Sequence, residues 1–237
     1  MDAHDLLARG PFAHRGLWSP DGPPENSLAA FEAAAEAGYG MELDVRLSAD
    51  DEAIVFHDET LDRMTGVRGA VRDRPSDALA AVRLRTSEET IPTLSQALAT
   101  VAGRTPVLVE LKTRQGDEGP LERRVAELLS DYAGPAAVLS FNPVALAVVA
   151  DAAPSLLRGL NSAPHVTFDA EVVASGGPPP LAGLDQARPH FLSLGKALLT
   201  GARPHHLPIV GWTIRSRDEL LQVEAACDTV MFEGFRA

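Results

Sequence analysis

The chain has 237 residues, 45% of them hydrophobic, and a formal net charge of −12. That apolar share excludes wholesale disorder. The acidic balance excludes nucleic acid as the main partner, because phosphate backbones attract basic surfaces, and its plain meaning is acidic solubility. Such a length suits two small domains or one large α/β barrel. Cys227 is the only cysteine, so no intrachain disulfide forms and a reducing compartment is the natural home. The acidic start Met1-Asp2-Ala3-His4-Asp5 lacks the basic and apolar segments of a secretory signal. Nowhere do about 18 apolar residues run together. The expected setting is soluble and cytosolic.

Short apolar runs alternate with helical patterns along the whole chain. The first strand candidate is Phe12–Gly16. Asn26 or Ser27 then caps a helix with Leu28 and Phe31 on one face, ending near Gly38. Met41–Leu47 is the second strand. Arg46 to Phe56 is too short for a crossover helix, so Ser48–Glu52 turns a hairpin, and a two-residue turn at Asp50-Asp51 sets Asp44 opposite His57. Residues 61–92 are irregular, with one short helix after Ser76. Thr93 precedes Leu94, Ala97, Leu98 and Val101, with Gly103 at the stop. Further strands are expected at Pro106–Lys112, Ala137–Asn142, Leu156–Asn161, His190–Gly195, Pro208–Ile214 and Asp228–Glu233. Pro120 and Pro143 stand where a first helical residue tolerates proline. Ser216 and Glu219 have the spacing of a capping box. Between Ser162 and Pro189 one helix is expected around Phe168–Ala174. Eight strand–helix units in a single domain, residues 1–237, is the size of a TIM barrel.

Function in such barrels collects at the C-terminal ends of the strands, and His14-Arg15, Glu42 and Asp44, Glu110 and Lys112, Asn142 and Trp212 all stand there. Strand side chains alternate between faces, so Glu42 and Asp44 share one face while Met41, Leu43 and Val45 share the other. Buried acids need a cation or a basic partner. Glu42, Asp44 and Glu110 offer oxygen ligands without thiolates, a set that suits Mg²⁺ or Ca²⁺ over zinc. The alternative is an ion-pair network neutralised by Arg15 and Lys112. His14 and His57, brought to one rim by the hairpin, are able to exchange protons near neutral pH. Arg15 and Lys112 suit a phosphate group, and no glycine-rich nucleotide loop is present. Trp212 either walls the pocket or packs in the core.

These residues resemble a known family. His14-Arg15-Gly16, Pro24-Glu25-Asn26-Ser27 with Ala30-Phe31, Glu42-Leu43-Asp44-Val45, Val55-Phe56-His57-Asp58 with Leu61 and Arg63, Val109-Glu110-Leu111-Lys112, and Gly211-Trp212-Thr213 occur in the order of the glycerophosphodiester phosphodiesterases. The resemblance implies a TIM barrel of the phosphatidylinositol-phospholipase-C type, to which the spacing above adds a short hairpin after the second strand. It implies hydrolysis of glycerophosphodiesters to sn-glycerol 3-phosphate and an alcohol. It further implies a divalent cation on Glu42, Asp44 and Glu110, His14 and His57 as the acid–base pair, and Arg15 and Lys112 on the phosphate. Glu25 is then a supporting residue that orients Arg15 or the metal shell. The nucleophile is water or the glycerol 2-hydroxyl. The tail departs from the family pattern, with Asp228-Thr229-Val230-Met231-Phe232-Glu233-Gly234 where members carry an aspartate-glycine pair and then a threonine-aspartate pair. Rival readings are a lysophospholipase D or sphingomyelinase D acting on lipids, a non-catalytic binding protein on the same fold, and a phosphosugar isomerase.

Overall fold

The computed structural model describes residues 1–85, 87–164, 183–200 and 203–237. Eight parallel strands close into a barrel: β1 (Phe12–Ala13), β2 (Gly40–Leu47), β4 (Val107–Leu111), β5 (Ala136–Ser140), β6 (Leu157–Ser162), β7 (Phe191–Gly195), β8 (Ile209–Ile214) and β9 (Thr229–Phe232). Their order is β1-β9-β8-β7-β6-β5-β4-β2, and the pairing of Phe12 with Gly40 returns the sheet to its start. β3 (Ala53–Val55) runs antiparallel on β2 and stands outside the ring. This is the TIM barrel expected from the alternation of elements.

Strands of a closed parallel barrel are buried on both faces, which is why they read as continuous apolar runs. Outward side chains such as Met41, Leu43, Val45, Val107 and Val109 pack under the helices. The inward set, Phe12, Leu108, Leu139, Phe191, Val210 and Met231, fills the barrel and rests on Leu6 and Leu7 of α1 (Ala3–Leu7). α1 was not expected: at five residues it is too short to show a periodicity, but Asp2 caps it through the Asp5 N–H at 2.9 Å. Glycines make room inside the barrel. A Cβ at Gly40 would meet the Phe12 ring at 2.6 Å, and one at Gly159 would meet Phe191 at 2.4 Å and Leu139 at 2.5 Å. The residues two and four positions beyond Gly40, and two beyond Gly159, therefore share the inward face.

Helix ends follow the sequence signals. Ser27, rather than Asn26, caps α2 (Leu28–Glu36) by accepting from Ala30 N. Thr93 and Gln96 form a full capping box on α4 (Leu94–Val101), which stops at Ala102 and Gly103, both with positive φ. α3 is the short helix after Ser76 (Ser76–Ala80), and Pro120 and Pro143 open α5 (Pro120–Ser130) and α6 (Pro143–Ala152). Asn142, a rim candidate, is the α6 cap: its Oδ1 accepts from Val144 N at 2.9 Å, and its amide donates to Glu118 at 2.6 Å. The box expected at Ser216 is half formed. Ser216 Oγ accepts from Glu219 N, but Glu219 accepts from the Arg215 N–H instead of closing on Ser216.

Two expectations are corrected. The first strand stops at Ala13 because Arg15 and Gly16 take positive φ and turn the chain over the rim. A Cβ at Gly16 would stand 2.9 Å from Ala30, so only glycine fits there. The hairpin pairs Val45 with Val55 and Ser48 N with Glu52 O, which makes its loop three residues, Ala49-Asp50-Asp51. Asp51 carries the positive φ that such a loop requires. The register slips by one, so Phe56 rather than His57 stands opposite Asp44, with Phe56 N donating to Asp44 O at 3.0 Å. Residues 61–92 are irregular as expected, with α3 as their short helix, and they also carry a core of their own. Ile54, Phe56, Leu61, Met64, Val71, Leu79, Val82, Leu84 and Ile91 bury one another beside the barrel. The helix expected at Phe168–Ala174 lies outside the described residues; among the described ones a short helix spans Leu184–Ala187.

Candidate active site

The inward alternation of β2 carries Glu42 and Asp44 to the C-terminal mouth, and β4 brings Glu110 beside them, with Asp44 registered against Glu110. Each offers an oxygen within 4.8 Å of the others, and all three are buried. Lys112 Nζ lies 2.6 Å from Glu110 Oε1 and 3.0 Å from Asp44 Oδ1. Arg15 donates its backbone N–H to Glu42 at 3.0 Å and sets its Nε 3.4 Å from Asp44. Three carboxylates thus face two cations. Burial opposes ionisation of Asp44, yet Lys112 and Arg15 hold its carboxyl well below the ordinary range. Burial and the neighbouring charges of Asp44 and Glu110 push Glu42 well above it.

Glu42 Oε1 is buried and has no hydrogen-bond partner in the protein. An ion-pair network alone leaves that oxygen with nothing to hold, at a cost that burial does not forgive. The oxygen-only donor set and this orphaned atom fit a hard divalent cation. Burial alone would depress the Lys112 ammonium, but Asp44 and Glu110 raise it, so it remains charged.

Two histidines border the cluster. The His14 ring places Nε2 4.0 Å from Glu42 Oε2 and bonds Nδ1 to Glu233 Oε2 at 2.7 Å. His57, just beyond β3, bonds Nδ1 to Asp58 Oδ1 at 2.7 Å. Burial holds the His57 imidazole below its ordinary value, against the pull of Asp44. The slipped hairpin register does not remove His57 from the rim, because Arg46 draws it in by donating Nε to the His57 carbonyl at 2.9 Å. In each case a carboxylate fixes one ring nitrogen and leaves the other free for proton transfer.

Glu25 organises the arginines. It accepts from Arg15 Nη1 at 2.8 Å and from Arg63 at 2.6 and 3.1 Å, while Arg63 also grips Asp58 at 2.5 Å. One chain of charges therefore runs from the His57 anchor to Arg15. Asn26, held at positive φ, donates to Asp44 Oδ2 at 2.8 Å and accepts from Asp44 N. Trp212 lies inside the mouth, edge-on to Phe141 with ring centroids 5.6 Å apart. Beside Lys112 a cleft of about 560 Å³ opens, walled by Arg46, Arg72, Arg114, Asp117 and Glu118.

Every sequence-derived candidate thus reaches one end of the barrel. The site also contains Glu233, Asp58 and Arg63, to which the sequence gives no role, and Asn26, which the sequence offers only as a helix cap. Glu233 had a readable signal: it stands two residues after Met231, which faces inward, and so must also face inward at a strand end.

Comparison with known proteins agrees with this geometry. The model of the glycerophosphoryl diester phosphodiesterase family matches residues 14–233. A glycerophosphodiester phosphodiesterase of Caldanaerobacter subterraneus subsp. tengcongensis is 28% identical over 231 residues, 92% of this chain and 91% of that protein. Among solved structures, an Oleispira antarctica phosphodiesterase in complex with the product sn-glycerol 3-phosphate superposes with a TM-score of 0.81 at 24% identity, covering 98% of this chain and 95% of that one. A Thermotoga maritima glycerophosphodiester phosphodiesterase gives 0.69 at 25% identity, covering 93% and 92%.

Proposed function

The chain belongs to the glycerophosphoryl diester phosphodiesterase family and is an enzyme of that kind; on that premise we propose that it hydrolyses glycerophosphodiesters to sn-glycerol 3-phosphate and an alcohol, with a divalent cation and two histidines. The observation that carries this reading is the convergence of three buried carboxylate oxygens within 4.8 Å, beside two imidazoles each anchored by a further carboxylate. The product bound in the Oleispira structure supports the same products here. The full stretch 1–237 acts as one domain in this reading, and the lone half-buried Cys227 suits a reducing, cytosolic setting.

Glu42, Asp44 and Glu110 would hold the cation, Mg²⁺ or Ca²⁺, which supplies Lewis acidity toward a phosphoryl oxygen. Lys112 and Arg15 neutralise the phosphate and orient it, Lys112 as a point charge and Arg15 through its planar fork. His57, held neutral by burial with Nδ1 committed to Asp58, takes the proton of the attacking hydroxyl on its free nitrogen. His14 then gives a proton to the departing alkoxide as the P–O bond breaks. The attacking group is water or the glycerol 2-hydroxyl, and oxygen-18 incorporation from labelled water with analysis for a cyclic phosphate distinguishes the two. The cleft beside Lys112 offers an exit for the alcohol.

A lipid substrate would need an apolar mouth. Among the described residues the exposed large hydrophobics are Met1 and Leu221, one beside the α1 plug and one on the outer helix Arg217–Val223. No helix in the described residues is long and apolar enough to cross a membrane. The test is choline release from glycerophosphocholine and from lysophosphatidylcholine with Mg²⁺, Ca²⁺ or EDTA. Turnover of the first alone, abolished by EDTA, is expected. Turnover of neither with any metal refutes the reading in favour of a binding protein.

A further inference from the structure

The opposite wall of the mouth holds polar atoms that the chemistry above does not use. Asn161 on β6 and Ser193 on β7 are registered side by side. Asn161 lies two residues beyond Gly159, and Ser193 two beyond Phe191, both of which face the barrel interior, so both side chains point inward. They are 2% and 0% exposed, and neither Asn161 Oδ1 nor Ser193 Oγ has a hydrogen-bond partner in the protein. Trp212 on the neighbouring β8 repeats the pattern, with its indole Nε1 buried and unpartnered. Three such atoms thus stand on adjacent strands, where buried polar groups ordinarily find partners.

Their chemistry is specific. The amide oxygen accepts, the indole N–H donates, and the serine hydroxyl does both. A pair of neighbouring hydroxyls, each able to donate and accept, matches that set. The position is equally restrictive. In the ring of eight strands β6 lies opposite β1, which leads to His14, and β7 lies opposite β2, which carries Glu42 and Asp44. An eight-stranded barrel is only wide enough for its side chains to meet, so a phosphate held over the acids would direct a short polyol across to this wall. The apolar layer of Leu139 and Phe191 floors the compartment, and the Phe141–Trp212 pair borders it. Concave, mostly apolar walls with a few convergent polar groups are how small ligands are oriented.

We infer that Asn161 and Ser193, with the Trp212 indole N–H, form the subsite for the vicinal hydroxyls of the substrate's glyceryl half. The inference rests on the phosphodiesterase reading and deepens it: these side chains select glycerol-bearing diesters over other phosphodiesters. Because each is buried and unpaired in the free protein, binding supplies hydrogen bonds that the fold withholds.

The experiment uses the full chain and its Ser193→Ala and Asn161→Leu variants. Turnover of glycerophosphocholine is compared with that of bis(p-nitrophenyl) phosphate, which carries no glycerol, and inhibition by sn-glycerol 3-phosphate with inhibition by inorganic phosphate. The expected result is a fall of about 10-fold or more in the kcat/KM ratio of the first diester to the second in each variant. Glycerol 3-phosphate should also lose its advantage over inorganic phosphate as an inhibitor. Ser193→Ala should melt no lower than the parent, since it removes a hydroxyl that bonds to nothing in the protein; this variant keeps the test valid if Asn161→Leu does not fold. An unchanged ratio and inhibitor preference overturn the subsite and leave these atoms to a structural water. A lower melting temperature in Ser193→Ala likewise overturns it, in favour of a packing role. A parent protein that cleaves bis(p-nitrophenyl) phosphate but not glycerophosphocholine refutes the function itself, an outcome distinct from either.

Discussion

Replacing Glu233 with glutamine tests whether the His14 ring is held by charge. Burial pushes the Glu233 carboxyl up, but the hydrogen bond and charge of His14, together with Arg215 Nε at 2.6 Å, hold it at about 2 against an ordinary 4.5. A carboxyl so depressed contributes on the order of 3 kcal/mol when fully insulated from water. The Glu233 side chain is 14% exposed at the rim, and screening there reduces the figure to about 1–2 kcal/mol. Because the folded value lies below the unfolded one, this stability is present above about 4.5 and is lost as the pH falls toward 2. Urea denaturation should therefore place Glu233→Gln about 1–2 kcal/mol below the parent at pH 7, with the gap closing between pH 4.5 and about 2. A glutamine can still accept from Nδ1 but no longer stabilises a charged ring, so kcat should fall roughly 100-fold with KM little changed. A stability gap that is constant with pH, or an unaltered kcat, refutes the argument.

Other substitutions probe the remaining parts of the site. Glu42→Gln should weaken Mg²⁺ or Ca²⁺ binding by at least about 10-fold in calorimetry, and equal affinity removes Glu42 from the ligand set. Burial and the Asp44 and Glu110 charges favour a proton on Glu42 in the ion-free protein, so cation binding should release that proton and tighten as the pH rises; calorimetry in buffers of different ionisation enthalpy reads the proton count, and a count of zero contradicts it. His57→Ala should lower kcat about 100-fold or more while far-ultraviolet circular dichroism and melting temperature stay near the parent's. Full activity in that variant would end its assignment as the base. Glu25→Gln should loosen Arg15 and Arg63 together and raise KM for the diester more than it lowers kcat, as steady-state kinetics would show.

The barrel was legible because buried parallel strands leave continuous apolar runs and their helices leave caps, as at Ser27, Thr93 and Pro143. The acids were legible because Glu42 and Asp44 interrupt such a run with the parity of one face. What could not be read was register and partner choice. A two-residue turn at Asp50-Asp51 requires a positive φ at Asp50, whereas the loop Ala49-Asp50-Asp51 places it at Asp51 alone, a backbone choice that two adjacent aspartates do not announce. The anchoring of His14 by Glu233 joins residues 219 apart in the chain, and no local pattern encodes such a pairing. Asn26 likewise reads as a helix cap, and only the folded chain shows it bonded to Asp44 instead.

The cluster built around Phe56, Leu61, Val71 and Ile91 is separate from the barrel's own interior. His57 and Arg63 ride on that satellite, whereas His14, Glu42 and Glu110 ride on the ring. On the proposed assignment of His57 as base, competence is a joint property of two hydrophobic assemblies, and a mutation that loosens only the satellite would yield a well-formed barrel that is chemically silent.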